Sequence, residues 1–164
     1  MVNSICELQY FLKKIFNYEE VLYYRIKSLI FYKFKNNNEL KSAVKLYTRK
    51  ITFNTAYQKY GNISLWDTSL ITDIDLLFIG CEEFNENINY WDVSNVINMS
   101  HMFAGCKNFN QPLDKWDVSN VINMKFMFEG CKNFNQSLNL WNVSNVENMC
   151  RMFSYCKKFN KPLD

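Results

Sequence analysis

Apolar positions in the second half of the chain fall into columns with one fixed period. Trp66, Trp91, Trp116 and Trp141 are 25 residues apart, and Cys81, Cys106, Cys131 and Cys156 share the period. Phe78, Phe103, Phe128 and Phe153 repeat likewise, as do Phe84-Asn85, Phe109-Asn110, Phe134-Asn135 and Phe159-Asn160. A unit of this length is too short to bury its own core, so units must stack and bury a continuous one. Each column then becomes a ladder of like side chains, spaced about 4.8 Å apart if strands build the stack.

Within a unit, Leu113-x-x-Trp116-x-Val118 has the spacing of a leucine-rich-repeat strand, and Trp116 and Val118 alternate as strand residues do. Val121, Met124, Met127 and Phe128 step by three and then one, which fits a turn or short helix on the other wall. A second short strand near Val121–Met124 is the competing assignment. The predicted fold is an α+β repeat: a leucine-rich-repeat-like parallel β-solenoid of 25-residue coils with an N-terminal helical cap.

The first sixty residues follow a different period. Ser4-Ile-Cys-Glu7 is a capping box, and Ile5, Leu8, Leu12, Ile15 and Phe16 share one helical face. Leu22, Ile26, Leu29 and Ile30 predict a second amphipathic helix. Asn36-Asn37-Asn38 reads as a loop, with Asn38 capping a third helix to about Lys50. Asn54 caps a short fourth helix ending at Gly61. The division is residues 1–60 as a helical segment and cap, and 61–164 as about four repeats with no evident C-terminal cap.

Charge sharpens that division. Residues 1–60 carry 11 Lys/Arg against 4 Asp/Glu, and residues 61–164 carry 8 against 12, within an overall net charge of +3. The run Tyr23-Tyr24-Arg25-Ile26-Lys27 through Lys33-Phe34-Lys35 interleaves basic and aromatic residues, a face that suits an anionic membrane surface or nucleic acid. The plainer expectation is that these helices cover the first apolar coil. No secretory leader is evident at Met1–Glu7, and charges interrupt the only candidate membrane span, so a soluble intracellular protein is expected.

Chemistry-bearing residues are placed structurally. The ladder cysteines lie one per coil, where neighbours come near disulfide range, but zinc sites want Cys pairs two to four residues apart or closely spaced histidines. The closest pair, Cys150 and Cys156, fails that spacing, so the column reads as buried thiols. His101 is the only histidine, leaving no Ser-His or Cys-His pair beyond it. Asp67, Asp92 and Asp117 form an acidic column able to bind a cation, but its fourth member is Asn142. That favours a short acceptor bonding the backbone N–H two residues on. Asn85, Asn110, Asn135 and Asn160 read as an amide ladder satisfying turn backbone. No catalytic residue, metal site or cofactor is expected.

The strings Trp91-Asp-Val-Ser-Asn-Val-Ile-Asn-Met-Ser-His-Met-Phe-Ala-Gly-Cys-Lys-Asn-Phe-Asn-Gln-Pro-Leu113 and Trp116-Asp-Val-Ser-Asn-Val-Ile-Asn-Met124 resemble BspA-like leucine-rich repeats, the mycoplasma lipoprotein repeat. The likeness runs from about residue 40 to 164 and includes the entry segment Leu40 to Ser69. The resemblance implies a repeat protein of bacterial surfaces, protists or large DNA viruses, and an Ala at the position of the four ladder cysteines. The expectation is a non-catalytic protein-interaction or scaffolding module with an unknown protein partner. The alternatives are a membrane- or nucleic-acid-tethered adaptor using residues 1–60, or an adhesin-like surface protein. The last coil is expected to expose Met152, Phe153 and Phe159, and its end to pair with a copy of itself, contact a partner, or fray.

Overall fold

The structure, a computed structural model, describes residues 31–163. The helices expected before Phe31 lie outside the described residues. Helix α1 spans Asn37–Tyr47 and helix α2 spans Phe53–Tyr60. Asn36, not Asn38, caps α1: its Oδ1 accepts from the Glu39 N–H at 3.0 Å. Glu39 settles the choice, since its carboxylate accepts from the Lys35 N–H at 2.8 Å and the Tyr32 hydroxyl at 2.6 Å. Leu40, Ala43, Val44 and Tyr47 form the buried stripe of α1. The helix stops before Lys50 because the Thr48 hydroxyl bonds back to the Val44 carbonyl. Helix α2 begins one residue before Asn54 and ends where Gly61 turns to φ 72°.

Phe34, Tyr47 and Tyr60 pack their rings around Trp66, with centroids 4.8, 5.5 and 5.9 Å from it. Residues 32–34 also pair with the first unit, through Phe34 N–H to Asp67 O at 3.1 Å and Asp67 N–H to Tyr32 O at 2.9 Å.

From Trp66 onward the expected parallel β-solenoid is overturned. Among the described residues there is no β strand and no sheet, only turns and isolated single-residue bridges. The units stack, but through backbone that alternates its partners. The N–H groups of Ile74, Leu76, Phe78 and Gly80 donate to the carbonyls of Asn98, Ser100, Met102 and Ala104 in the next unit, at 2.8–3.0 Å. The intervening Leu77, Ile79 and Cys81 donate back to Ile74, Leu76 and Phe78, closing turns within their own unit at 3.0–3.4 Å. The second and third units repeat the scheme.

A strand needs successive residues in extended conformation. Here Leu76, His101, Phe126 and Arg151 sit at φ 54–58°, and Gly80, Gly105 and Gly130 at φ 70–79°. A left-handed residue recurring within each ladder segment breaks any strand into turns. Besides the Lys33–Asp67 bridge to the capping segment, the units bridge one another in parallel at a single column, Asp73, Asn98, Asn123 and Asn148. The proposed strand at Leu113–Val118 contains a turn instead, Trp116 N–H to Leu113 O at 3.2 Å. The bridge falls in the competing segment, Val121–Met124.

Aromatic columns hold the stack together. Phe78, Phe103, Phe128 and Phe153 lie 5.5–5.6 Å apart in sequence order, with ring planes within 6°. Phe84, Phe109, Phe134 and Phe159 form a second column at 5.9–6.0 Å. Trp66–Trp91 and Trp116–Trp141 stack at 6.0 and 6.3 Å. These spacings exceed the strand value because parallel rings slide into offset stacks rather than facing squarely. Inside each unit the two Phe columns touch at 4.0–4.2 Å. Met152, expected to be exposed, is buried, since its column (Leu77, Met102, Met127) turns into the core; Phe153 and Phe159 are half-buried.

Trp116→Ala removes a ring from a central unit and should cost about 3–5 kcal/mol in chemical denaturation. The glycine column is left-handed rather than crowded: a Cβ on Gly105 would meet the Gly80 Cα at 3.4 Å, an ordinary contact, and one on Gly80 would meet nothing within 4 Å, so the cost of a side chain there is the positive φ. Tyr155 occupies that column in the fourth unit at φ 60°. Gly105→Ala should therefore cost about 1–2 kcal/mol, and Tyr155→Gly should gain up to about 1 kcal/mol.

Candidate functional site

The residue types that carry chemistry elsewhere are engaged here with backbone. The Sγ of Cys106, Cys131 and Cys156 donates to the carbonyl of Phe78, Phe103 and Phe128 in the unit before, at 2.9–3.0 Å. Cys81 makes only a 3.9 Å contact with Ile79 O. No disulfide forms among the described residues, and the ladder thiols point at carbonyls instead. Burial pushes the Cys106 and Cys131 thiols far above their ordinary range and Cys156 up to about 11.

The acidic column does the work of a turn. Asp67, Asp92 and Asp117 accept from the N–H of Ser69, Ser94 and Ser119 at 3.0–3.1 Å, and Asn142 accepts from Ser144 at 3.2 Å. The Ser119 hydrogen bonds hold the Asp117 carboxyl below its usual range. In the asparagine column, Oδ1 of Asn85, Asn110 and Asn135 accepts from the N–H of Asn110, Asn135 and Asn160, at 2.9–3.0 Å.

Two further polar columns escaped the sequence reading. Asp73, Asn98, Asn123 and Asn148 each accept from the N–H two residues on, at 2.8–3.1 Å. Asn95, Asn120 and Asn145 donate Nδ2 to the Ser carbonyl of the previous unit at 2.7–2.9 Å. The period alone marked both, since their columns repeat as regularly as the aromatic ones. The Trp indoles follow the same logic: Trp91, Trp116 and Trp141 donate to Ile63, Ile88 and Leu113 carbonyls at 2.8–3.1 Å. The buried Trp66 indole N–H has no partner among the described residues.

His101 stacks on Phe126 with centroids 4.9 Å apart, and Arg151 lies over the other side of that ring at 5.8 Å. It faces no nucleophile within that column. Among the described residues no group of three or more His, Cys, Asp or Glu converges on a metal position.

An open cleft of about 910 Å³ lies between α1 with its following loop and the first unit. Lys41, Lys45 and Arg49 stand on the helical wall; Leu76, Ile79, Glu82, Glu83 and Glu86 stand opposite. Lys41 pairs with Asp75 and lies 3.7 Å from Asp73, and that bond holds the Asp75 carboxyl below its usual range. Glu82 pairs with Lys107 at 2.6 Å, and Glu83 accepts from Asn108 Nδ2 at 2.7 Å. Leu76 and Ile79 are about half exposed. The cleft thus sets a basic helical wall against an acidic one that carries two half-exposed apolar side chains.

Repeating turn units closed by an aromatic and helical segment define a tandem-repeat protein. The chain belongs to the DUF285 family, described as a Mycoplasma protein of unknown function, whose model matches residues 31–164. No curated protein and no solved structure matches the chain. No helix among the described residues is long and apolar enough to cross a membrane.

Stability should depend on pH at both ends. Asp75, Asp117 and Glu39 have lowered carboxyl values, so their contribution is present above the ordinary carboxylate range and is lost as pH falls through it. Cys106, Cys131 and Cys156 are raised, so theirs is intact below an ordinary value near 9 and is lost as pH rises beyond it. Thermal melts should therefore show a plateau between about pH 5 and 8. In thiol titration Cys150, which is exposed, should react at once, while Cys106 and Cys131 should wait for unfolding. Asp117→Asn should be nearly neutral, as Asn142 holds the same turn.

Proposed function

We propose that this chain is a non-catalytic interaction module of BspA-like kind, which binds a protein partner on the face carrying the cleft. The observation that carries this reading is the combination of an open cleft with exposed Leu76 and Ile79 and a set of reactive side chains already committed to turns. An extended face presented by rigidly stacked units is the usual binding surface of repeat proteins. The basic excess of residues 31–65, 7 Lys/Arg against 1 Asp/Glu, meets a first unit (66–90) with 6 Asp/Glu and no Lys/Arg. Lys41 between Asp73 and Asp75 is the visible contact. That complementarity supports a capping role for this basic segment over a nucleic-acid or membrane tether. Free, backbone-bonded thiols suit a reducing intracellular setting.

The test is capture of partners by the wild type and by a Leu76→Glu, Ile79→Glu double variant, with Ile122→Glu outside the cleft as control. Circular dichroism should match for all three. The double variant should lose at least about tenfold of the captured partner and the control none. Equal capture by all three would remove the cleft face from the proposal.

A further inference from the structure

Three columns beside the cleft reverse sign along the stack. The turn after each ladder cysteine reads Glu82-Glu83, then Lys107-Asn108, then Lys132-Asn133, then Lys157-Lys158. The column three residues further on reads Glu86, Gln111, Gln136 and Lys161. One end of this edge thus carries three glutamates and the other three lysines, all six exposed. Backbone bonds hold the edge in register: Asn108, Asn133 and Lys158 donate N–H to the carbonyls of Glu82, Lys107 and Lys132 at 3.0–3.2 Å. The asparagine ladder from Asn85 to Asn160 runs beside it. The charges are therefore fixed on a rigid rail rather than carried on a loose loop.

A face that is acidic at one end and basic at the other is complementary to itself after a twofold rotation. We propose that this edge binds a second copy of the chain in antiparallel register, forming a salt-sensitive dimer. The inference rests on the reading of this face as an interaction surface and names one partner for it. In such a pair Glu82, Glu83 and Glu86 of each copy meet Lys157, Lys158 and Lys161 of the other, so the favourable contact is made twice. The middle units bring together the amides of Asn108 and Gln111 with those of Asn133 and Gln136; Lys107, held by Glu82 of its own chain, also meets the exposed Lys132 of the other copy, a like-charge contact that weakens the pair. Tyr155 joins the surface: it is 77% exposed, in the column where the other units have glycine, and the rotation sets it against the exposed Leu76 and Ile79 end. Lys45 and Arg49 across the cleft oppose the incoming lysines, which keeps the association weak and governed by charge.

The experiment is sedimentation equilibrium on the full chain at about 20 mM and about 0.5 M salt. The wild type should dimerise at low salt and dissociate at high salt. The triple variants Glu82→Lys/Glu83→Lys/Glu86→Lys and Lys157→Glu/Lys158→Glu/Lys161→Glu should each be monomeric, because the two ends of the face then carry the same sign and repel in antiparallel register. Mixed in equal amounts, the two should form a heterodimer at least as tight as the wild-type dimer, with circular dichroism confirming that each variant is folded. A wild type monomeric at low salt, a single triple variant that still dimerises, or a mixture that stays monomeric overturns the inference. If the wild type is monomeric but partner capture still depends on Leu76 and Ile79, the dimer is lost and the proposed function stands.

Discussion

The structure depends on how each unit divides its backbone N–H groups. Every second one, at positions such as Ile74, Leu76, Phe78 and Gly80, goes to the next unit; the ones between close turns at home. A β ladder would give all of its bonding to neighbours and leave each strand flat. The alternation instead lets a unit be folded locally and tied to its neighbour at once. It requires left-handed backbone at Leu76 and its equivalents and at the glycine column, so the strain and the bonding pattern come together. Buried backbone polar groups need partners, and this pattern supplies them without a sheet.

Turns leave gaps that a ladder would not, and short polar side chains fill them. Asp67 and its column hold one turn, Asp73 and its column a second, and the asparagines starting at Asn85 tie one unit to the next. From the second unit on, the cysteine and tryptophan columns extend the rule into the core, each donating to a carbonyl 28 residues before it. That accounting explains a composition rich in Asn, Asp, Ser and Cys that nevertheless assembles no reaction centre among the described residues.

Much of this was legible in the sequence and some was not. The period, the buried aromatic columns and the Asx turn at Asp117 follow from spacing and residue type. The substitution of Asn142 for aspartate pointed to a hydrogen-bond acceptor rather than a charge. The strand at Trp116 was wrong because a short apolar alternation has the same appearance whether the chain is extended or folded into consecutive turns. What separates the two is φ, and only glycine advertises a positive φ; Leu76, His101, Phe126 and Arg151 do not. The cap of α1 was misplaced within a run of three asparagines, where only the Glu39 side chain, bonded to Lys35 and Tyr32, distinguishes Asn36. The cleft was invisible because Lys45 and Glu86 are brought together by packing, not by spacing.

Stacking also divides the columns by what they are free to do. A buried column must fit the same pocket in every unit, so Phe78 recurs as phenylalanine at each step and its rings stack within 6°. An exposed column answers to no such pocket. Its backbone bonds are satisfied whatever side chain it bears, so it can change from Glu82 to Lys157 without disturbing the stack. Difference between units is therefore concentrated where it costs least stability, on the rim. The first unit carries only acidic charge and the fourth (141–164) has 4 Lys/Arg against 2 Asp/Glu. A regular core thereby presents an irregular edge, since the interior is nearly the same at every step while the rim changes charge from unit to unit.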